Sequence, residues 1–321
     1  MTKRIDLCIC TFRRPGLADT LRSLRDVVVP EGYELYVFIA DNDEEPTAKP
    51  IATEVALPFQ VTYQHVPARN ISVARNAGLD HAQGDFVAFI DDDETVSPGW
   101  LAELLATAAA SSADVVFGSA VSIYPAQTPA WMIEGDFHST KPPLPGVAIT
   151  TGCSANVLIR RSAPGRDRLR FDIALGRTGG EDTVFFAQLH AFGARMTFAP
   201  KALVYERVEP RRLSLGWLLQ RRFRAGQSTA RAALVTSERP ASTRVRLLTL
   251  SICKAFLCGA SALLRVADQR RRNYWLIRGA FHLGAAGLCL GVREQDHYGG
   301  IHVKAGEPAR RSSCHPIARQ P

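Results

Sequence analysis

Cysteine is sparse in this 321-residue chain: seven residues, at 8, 10, 153, 253, 258, 289 and 314, an odd number with no CxxC pair. That argues against a disulfide framework or a cysteine-built zinc site and for a reducing cytosol. The opening residues, MTKRIDLCIC, run straight into an apolar strand-like segment with no signal-type hydrophobic region or small-residue cleavage site, so an exported protein is not expected. Uninterrupted apolar stretches of membrane-spanning length are also missing. Leu247–Leu264 is broken by Lys254, and Gly279–Val292 is short and contains His282, whereas a span needs ~20 predominantly apolar residues. The 24 glycines and 19 prolines follow no period, which excludes collagen-like and repeat architectures. Hydrophobic residues make up 46% and charged residues 22%. This chain can bury a core as one large domain or two modest ones.

The net charge of +8 is unevenly placed. Residues 1–200 carry 17 Lys+Arg against 24 Asp+Glu, and residues 201–321 carry 22 against 7. The first part is no polyanion-binding surface overall, while the second suits nucleic acid or an anionic membrane.

Short apolar runs at Ile5–Cys10, Glu34–Ala40, Phe59–Tyr63, Phe86–Ile90 and Val115–Val121 alternate with helix-like stretches, among them Ile71–His81 and Trp100–Ala110, the latter opened by Ser97-Pro98. Such alternation predicts βαβ units and a parallel sheet, whose ligands bind beyond the carboxyl ends of the strands. Thr11 and Arg13 follow the first strand, Asp41-Asn42-Asp43 the second, and Asp91-Asp92-Asp93 the fourth. Neighbouring strands would place all three clusters on one edge. Residues 125–148, rich in Pro and Gly, read as a surface loop or lid, and the chain from about 210 onward reads as basic and helical.

Three adjacent carboxylates repel one another unless solvent or a cation relieves them. Alternation along the chain sends Asp91 and Asp93 one way and Asp92 the other. Mg²⁺ typically takes one or two carboxylates plus substrate phosphates, so this triplet reads as a metal–diphosphate site, with a solvated acidic turn as the alternative. Asp41-Asn42-Asp43 suits a nucleobase or ribose, or a plain Asx-rich turn. Arg75, inside a predicted helix, faces solvent, contacts phosphate or clamps the acidic loops. Thr178-x-x-Glu181 has the spacing of a capping box, which gives Glu181 a structural role and leaves Asp182 free as a general base.

In order, CICTFRRP, IADND, ARNISVARNAGLDHAQGDFVAFIDDDE, TGCSANVLIRRS and GGEDTVFFAQL resemble family 2 glycosyltransferases, most closely those of bacterial exopolysaccharide synthesis, over residues 4–225. The resemblance implies a GT-A fold, an α/β domain with a mostly parallel central sheet flanked by helices. It would occupy 1–225, followed by a basic, partly amphipathic helical region (226–300) and a flexible tail (301–321). It implies an inverting hexosyl transfer, glucose foremost, from a UDP-sugar to a lipid-linked oligosaccharide, with Mg²⁺ or Mn²⁺. Thr11, Arg13, Asp41, Arg75, Asp91 and Asp92 would hold the sugar nucleotide, and Asp91 and Asp93 the metal. Gly152, Ser154 and Asn156 would lie on the acceptor side, and Asp182 would be the base. Glu206 stands where relatives often place a metal-binding histidine and would serve as the third metal ligand in its place. Arg221 and Arg222, in a loose match to the QxxRW motif of processive synthases, would steady the leaving group. The enzyme would work on the cytoplasmic membrane face, with the helical region lying on the bilayer and no nucleic acid bound. A nucleic-acid-binding protein using the basic third, or a nucleotidyltransferase, are the competing classes.

Overall fold

A computed structural model describes residues 2–144 and 146–294. The expected tail at 301–321 and the last residues of the 226–300 region lie outside the described residues. The first half alternates as the apolar runs predict: β1 (Lys3–Thr11), α1 (Leu17–Leu24), β2 (Tyr33–Asp41), α2 (Lys49–Glu54), β3 (Gln60–His65), α3 (Ile71–His81) and β4 (Phe86–Asp91). There follow β5 (Glu94–Val96), α4 (Trp100–Ser111), β6 (Val115–Ile123), α5 (Ala130–Gly135), β7 (Asn156–Arg160), α6 (Glu181–Ala191) and β8 (Met196–Arg207). Three long helices close the described chain: α7 (Leu215–Val235), α8 (Pro240–Leu263) and α9 (Gln269–Cys289).

The eight strands form one sheet in the order β3-β2-β1-β4-β7-β6-β8-β5. β1 to β4 run parallel, β7 is antiparallel to both its neighbours, β8 is parallel to β6, and β5 is antiparallel to β8. Strands buried on both faces read as continuous apolar runs. In β1, Ile5, Leu7 and Ile9 pack on the side of α1 and α4, with Leu17, Leu21, Trp100 and Leu104. Cys8 points to the opposite layer, where α3 and α6 contribute Ala74, Leu79, Phe185 and Phe186. The fold is therefore α/β with helices on both faces. The chain moves outward from β1 through β2 to β3, then returns to place β4 on the other side of β1. That reversal opens a crevice beyond the carboxyl ends of β1 and β4, the position at which open α/β sheets bind ligands.

Several local expectations change. Helix α4 begins at Trp100 with Gly99 as its N-cap and no side-chain cap, so Ser97 does not cap it. The 125–148 stretch is not a loose surface lid throughout. It contains α5, whose Met132 is wholly buried with Leu218 of α7 and Ile277 of α9. The expected boundary at 225 falls inside α7, which continues unbroken to Val235. Helices α7 and α9 cross closely because Gly226 and Gly284 face each other's backbones. A Cβ at Gly226 would lie 1.9 Å from the Phe281 carbonyl oxygen, and one at Gly284 would lie 1.9 Å from that of Phe223.

Helix α9 is buried along Gly279, Ala280 and Gly284–Gly287, so it does not lie at the surface beside α8 as an apolar pair. α8 packs on it through the small residues Ser251, Cys258 and Ala262 and leaves Val245, Leu250, Ile252, Phe256, Leu257 and Leu263 exposed. Among the described residues, α8 is the one helix long and apolar enough to cross a membrane by length and composition. The helix begins at Pro240 and is 24 residues long, longer than the apolar run Leu247–Leu264 suggests, with Lys254 inside it.

Candidate active site

Register brings the polar clusters together. Thr11 pairs with Asp41, and Cys10 with Asp91, so the ends of β1, β2 and β4 lie side by side. The N-terminus of β7 joins them, since Asn156 pairs with Ile90.

At the end of β4 the three aspartates diverge, Asp91 closing the strand and Asp92-Asp93 forming the turn into β5. Asp92 turns inward, with only 11% of its side chain accessible, toward the Phe12 amide (3.4 Å), while its carbonyl accepts the Thr20 hydroxyl (3.0 Å). Asp91 and Asp93 face the cleft, their side chains 45% and 24% exposed. Burial pushes Asp92 up to about 7, with Asp93 adding to the rise and Thr11 and Arg14 opposing it. Packing around the base of Asp91 pushes it up to about 6. Arg75 opposes, and Asp93, Glu206 and Asp182 add to the rise. The short strand β5, which the sequence pattern did not reveal, brings in Glu94. This residue is buried, accepts the Asp91 amide (2.9 Å) and is held well above the carboxylate range by that burial. Opposite Glu94 in the β5–β8 pair stands Glu206.

Two arginines that the sequence reading passed over meet this acidic group. Arg14 Nη1 lies 3.3 Å from Asp93 and 2.9 Å from Glu209, and Arg14 Nε lies 4.0 Å from Asp92. Arg212 reaches Asp93 at 3.7 Å and Glu209 at 3.4 Å and pairs with Glu206. Glu206 thus pairs with Arg212, in a 3-10 turn (Pro210–Arg212) that enters α7. The RRP of CICTFRRP was a visible signal for Arg14. Arg212 had none, because its place depends on the turn after β8.

On the other side of Asp91, Arg75 projects from α3, is almost fully buried, and binds Glu181 while lying 3.7 Å from Asp91. Burial disfavours its charge, yet Glu181, Asp182 and Asp91 together hold its pKa above the ordinary arginine value. The capping-box reading of Glu181 is corrected here. Gly180, at φ +87°, is the N-cap of α6 and no side chain caps it, while the Thr178 hydroxyl donates to the Leu175 carbonyl. Gly180 is also required sterically, since a Cβ there would lie 2.2 Å from Ser228 Oγ of α7. The next residue, Asp182, accepts from the Thr183 amide (2.6 Å) and faces the Ser154 amide (3.4 Å). Asp182 therefore stands at the mouth of the crevice, fixed to the loop before β7.

Other expected site residues sit deeper or elsewhere. Asp41 is wholly buried and binds the loop after β2, accepting from the Ala48 amide (2.8 Å), the Tyr63 hydroxyl (2.7 Å) and the Asp43 amide (3.3 Å). Arg13, with φ +53°, pairs through Nε with both Asp43 oxygens at 2.9 Å. Thr11 is buried and accepts the Asn42 amide (2.8 Å). Asn156 is buried, with its amide committed to Trp100, Ser119 and Ala202, so it does not reach the acceptor side. Gly152 abuts the Phe117 ring, and Ser154 is buried. Arg221 lies over Trp217, and Arg222 lies over Phe281 of α9 rather than on the aspartates.

The sequence profile described as "Glycosyl transferase family 2" matches residues 6–164. The chain is 42% identical over 304 residues to the "Succinoglycan biosynthesis protein ExoM" of Rhizobium meliloti (strain 1021), covering 94% of this chain and 98% of that protein. The chain belongs to the family 2 glycosyltransferases. This glycosyltransferase is also 29% identical over 222 residues to a "Pre-mycofactocin glycosyltransferase" of Mycobacterium tuberculosis, covering 66% of this chain and 43% of that protein. Among solved structures it resembles the mannosyltransferase PcManGT of Pyrobaculum calidifontis in complex with GDP-Man and Mn²⁺. The TM-score is 0.60 and the identity 16%, covering 90% of this chain and 87% of that one. The S. aureus TarS 1-349 complex with UDP-GlcNAc matches at a TM-score of 0.50 and 14% identity, covering 88% and 92%. These likenesses establish the GT-A fold. The profile match ends before α6, so Asp182 is reached by the ExoM likeness and not by the profile.

The fold implies a divalent cation, and the donor set tests the implication. Asp91 and Asp93 offer hard oxygen donors on the open side of β4. No group of three or more His, Cys, Asp or Glu side chains among the described residues is arranged to hold a metal by itself. The residues fit a cation held by one or two carboxylates and completed by a ligand's phosphates, the usual Mg²⁺ arrangement, and not a preformed protein cage.

Proposed function

We propose that this glycosyltransferase moves a hexose, glucose foremost, from a UDP-sugar to a lipid-linked oligosaccharide in exopolysaccharide synthesis, with inversion at the anomeric carbon. The observation that carries the reading is the pairing, across one crevice, of an open carboxylate pair with a separate fixed carboxylate. Asp91 and Asp93 lie beyond β4, and Asp182 stands at the start of α6. The relative's role in succinoglycan biosynthesis and the sugar-nucleotide complexes of the fold neighbours support the substrate class.

In the proposed reaction the acceptor hydroxyl oxygen forms a bond to C1 as the bond from C1 to the diphosphate oxygen breaks. The electron pair leaves with UDP, and the hydroxyl proton passes to Asp182. One displacement inverts the centre. Asp182 is oriented by the Thr183 and Ser154 amides, and buried Arg75 provides positive charge behind it. Asp93 and Asp91 would hold Mg²⁺ or Mn²⁺, which when bound would supply charge to stabilise the departing diphosphate. Thr11, Arg13 and Asp41 shape the loops under the nucleotide. The test is incubation of the purified protein and either metal with a panel of UDP-sugars and a lipid-linked acceptor, scoring UDP, and in parallel with UTP and sugar 1-phosphates, scoring pyrophosphate. Release of pyrophosphate would replace this reading with nucleotidyl transfer. Asp93→Ala should abolish metal-dependent UDP-sugar binding in calorimetry, because the diphosphate charge loses its bridge. Unchanged affinity with and without metal would remove Asp93 from the donor site.

The acceptor side of the proposal draws on α8. Residues 240–294 carry nine Lys+Arg against two Asp+Glu, and Phe256 and Leu257 are 74% and 62% exposed. An apolar face with cationic borders suits the interface of an anionic bilayer, here the cytoplasmic face, where arginines snorkel to headgroups. Full-length protein should float with anionic vesicles at low salt and less at high salt. The double substitution F256S/L257S should cut that binding by about 10-fold or more, since burying one such side chain contributes ~1.5–3 kcal/mol. Equal flotation of the double variant would remove α8 as the docking surface.

A further inference from the structure

The most unusual feature of the cleft is that two guanidinium groups converge on a single carboxylate oxygen. Arg14 Nη1 and Arg212 Nη2 approach the same Asp93 Oδ2, at 3.3 and 3.7 Å, from opposite ends of the chain. Both also reach the same Glu209 Oε1, at 2.9 and 3.4 Å, and Arg212 binds Glu206 as well. With Asp92 at 4.0 Å from Arg14, two arginines therefore bridge four carboxylates at the position where the donor's charge is expected.

The backbone of Arg212 is fixed, while both side chains retain access to the cleft. The Arg212 amide donates to the Glu209 carbonyl (2.8 Å), and the Arg212 carbonyl contacts Nε2 of buried His138 (3.2 Å). The His138 ring in turn stacks on Trp217 of α7, 5.3 Å between centroids, and meets the Tyr124 hydroxyl at Nδ1 (3.2 Å). The loop around α5, β8 and α7 thus hold the main chain of Arg212. Its side chain is 17% accessible and that of Arg14 is 34% accessible, so both guanidiniums border the cleft, Arg212 also lying over the Trp217 ring.

A divalent cation on Asp93 would sit against both guanidiniums, and like charges at that range repel. A cation arriving alone must therefore displace them into water. A cation arriving with a diphosphate brings acceptors for them, and guanidinium–phosphate bonds are strong and often two-pronged. We propose that Arg14 and Arg212 are resident counter-ions of the acid cluster that yield Asp93 to the cation and turn onto the diphosphate. Cation and sugar nucleotide are then taken up together, and each is bound poorly alone. This rests on the donor reading above and adds two residues, and an order of events, to it.

Calorimetry on the full chain tests it, with Mn²⁺ alone, UDP alone, and UDP at saturating Mn²⁺. Wild type should bind UDP at least about tenfold tighter with Mn²⁺ than without, and by linkage Mn²⁺ tighter with UDP by the same factor. Arg14→Ala and Arg212→Ala should each bind Mn²⁺ alone several-fold tighter than wild type, because a competing cation is gone. The same variants should bind UDP in Mn²⁺ about tenfold weaker, the loss of a charge-assisted contact. Arg212→Lys keeps a charge but loses the planar fork. It should stay near wild type for Mn²⁺ alone while still weakening UDP, and it serves if an alanine variant melts early. A merely structural role moves both affinities the same way or neither, and either result in folded protein overturns the inference. Wild type that binds no UDP with Mn²⁺ present defeats the donor reading and this inference together. Opposite-signed shifts in the variants support both.

Discussion

Asp182→Asn keeps UDP-sugar binding near wild type and slows transfer by about 10²–10⁴-fold, the usual contribution of a general base. The amide is nearly the same size as the carboxylate, and its oxygen can still accept the Thr183 amide that Asp182 accepts at 2.6 Å. The start of α6 and the loop at Ser154 should therefore keep their positions. The amide cannot take the acceptor's proton, and only the transfer step needs that. Donor affinity by calorimetry and single-turnover transfer separate the two. Near-normal turnover would reduce Asp182 to an acid that complements the dipole at a helix N-terminus. A parallel loss of donor affinity would instead mean that its charge helps place Arg75, with which it interacts in the buried cluster.

Much of this site was legible because parallel strands write themselves as apolar runs and because their carboxyl ends are where polar residues interrupt them. β1, β2 and β4 were found that way, and with them Thr11, Asp41 and the three aspartates. That Asp92 turns inward while Asp91 and Asp93 stay open agrees with the alternation expected from the sequence, although a turn between β4 and β5 produces it. Contacts between distant segments could not. Arg212 reaches Asp93 across 119 positions because a 3-10 turn follows β8, and no spacing rule encodes that approach. The same holds for the His138–Trp217 stack that supports it. Asp41 and Asn156 show what a position at a strand end does not reveal. Each stands at a position rich in ligand chemistry, yet the fold spends their polar atoms on internal hydrogen bonds. The length of α8 was not legible because its first two turns, Pro240 to Arg246, are mostly polar in sequence and yet belong to the helix.

Glu181→Ala should destabilise the protein by about 3–5 kcal/mol, the range for breaking a buried ion pair by removing one partner. The capping-box spacing at Thr178 would predict only ~0.5–2 kcal/mol for losing a cap, so the two readings differ by an amount that urea unfolding resolves. The larger value follows from what remains behind. Arg75 is nearly fully buried, is bound by Glu181, and has Asp91 as its other carboxylate contact at 3.7 Å. Without Glu181 its charge leans on Asp91 and draws that side chain away from the cleft. The variant should therefore lose donor affinity as well as stability, although Glu181 does not face the donor. Glu181→Gln, which retains a hydrogen-bond acceptor, should cost less on both counts. Replacing the pair together, R75M/E181L, removes both buried charges and should recover much of the stability, since apolar substitutes for a buried pair are often neutral or better. It should not recover activity, because Asp91 and Asp182 would then have no cation behind them. A double variant no more stable than E181A would show that Arg75 does not depend on Glu181 for its place in the core.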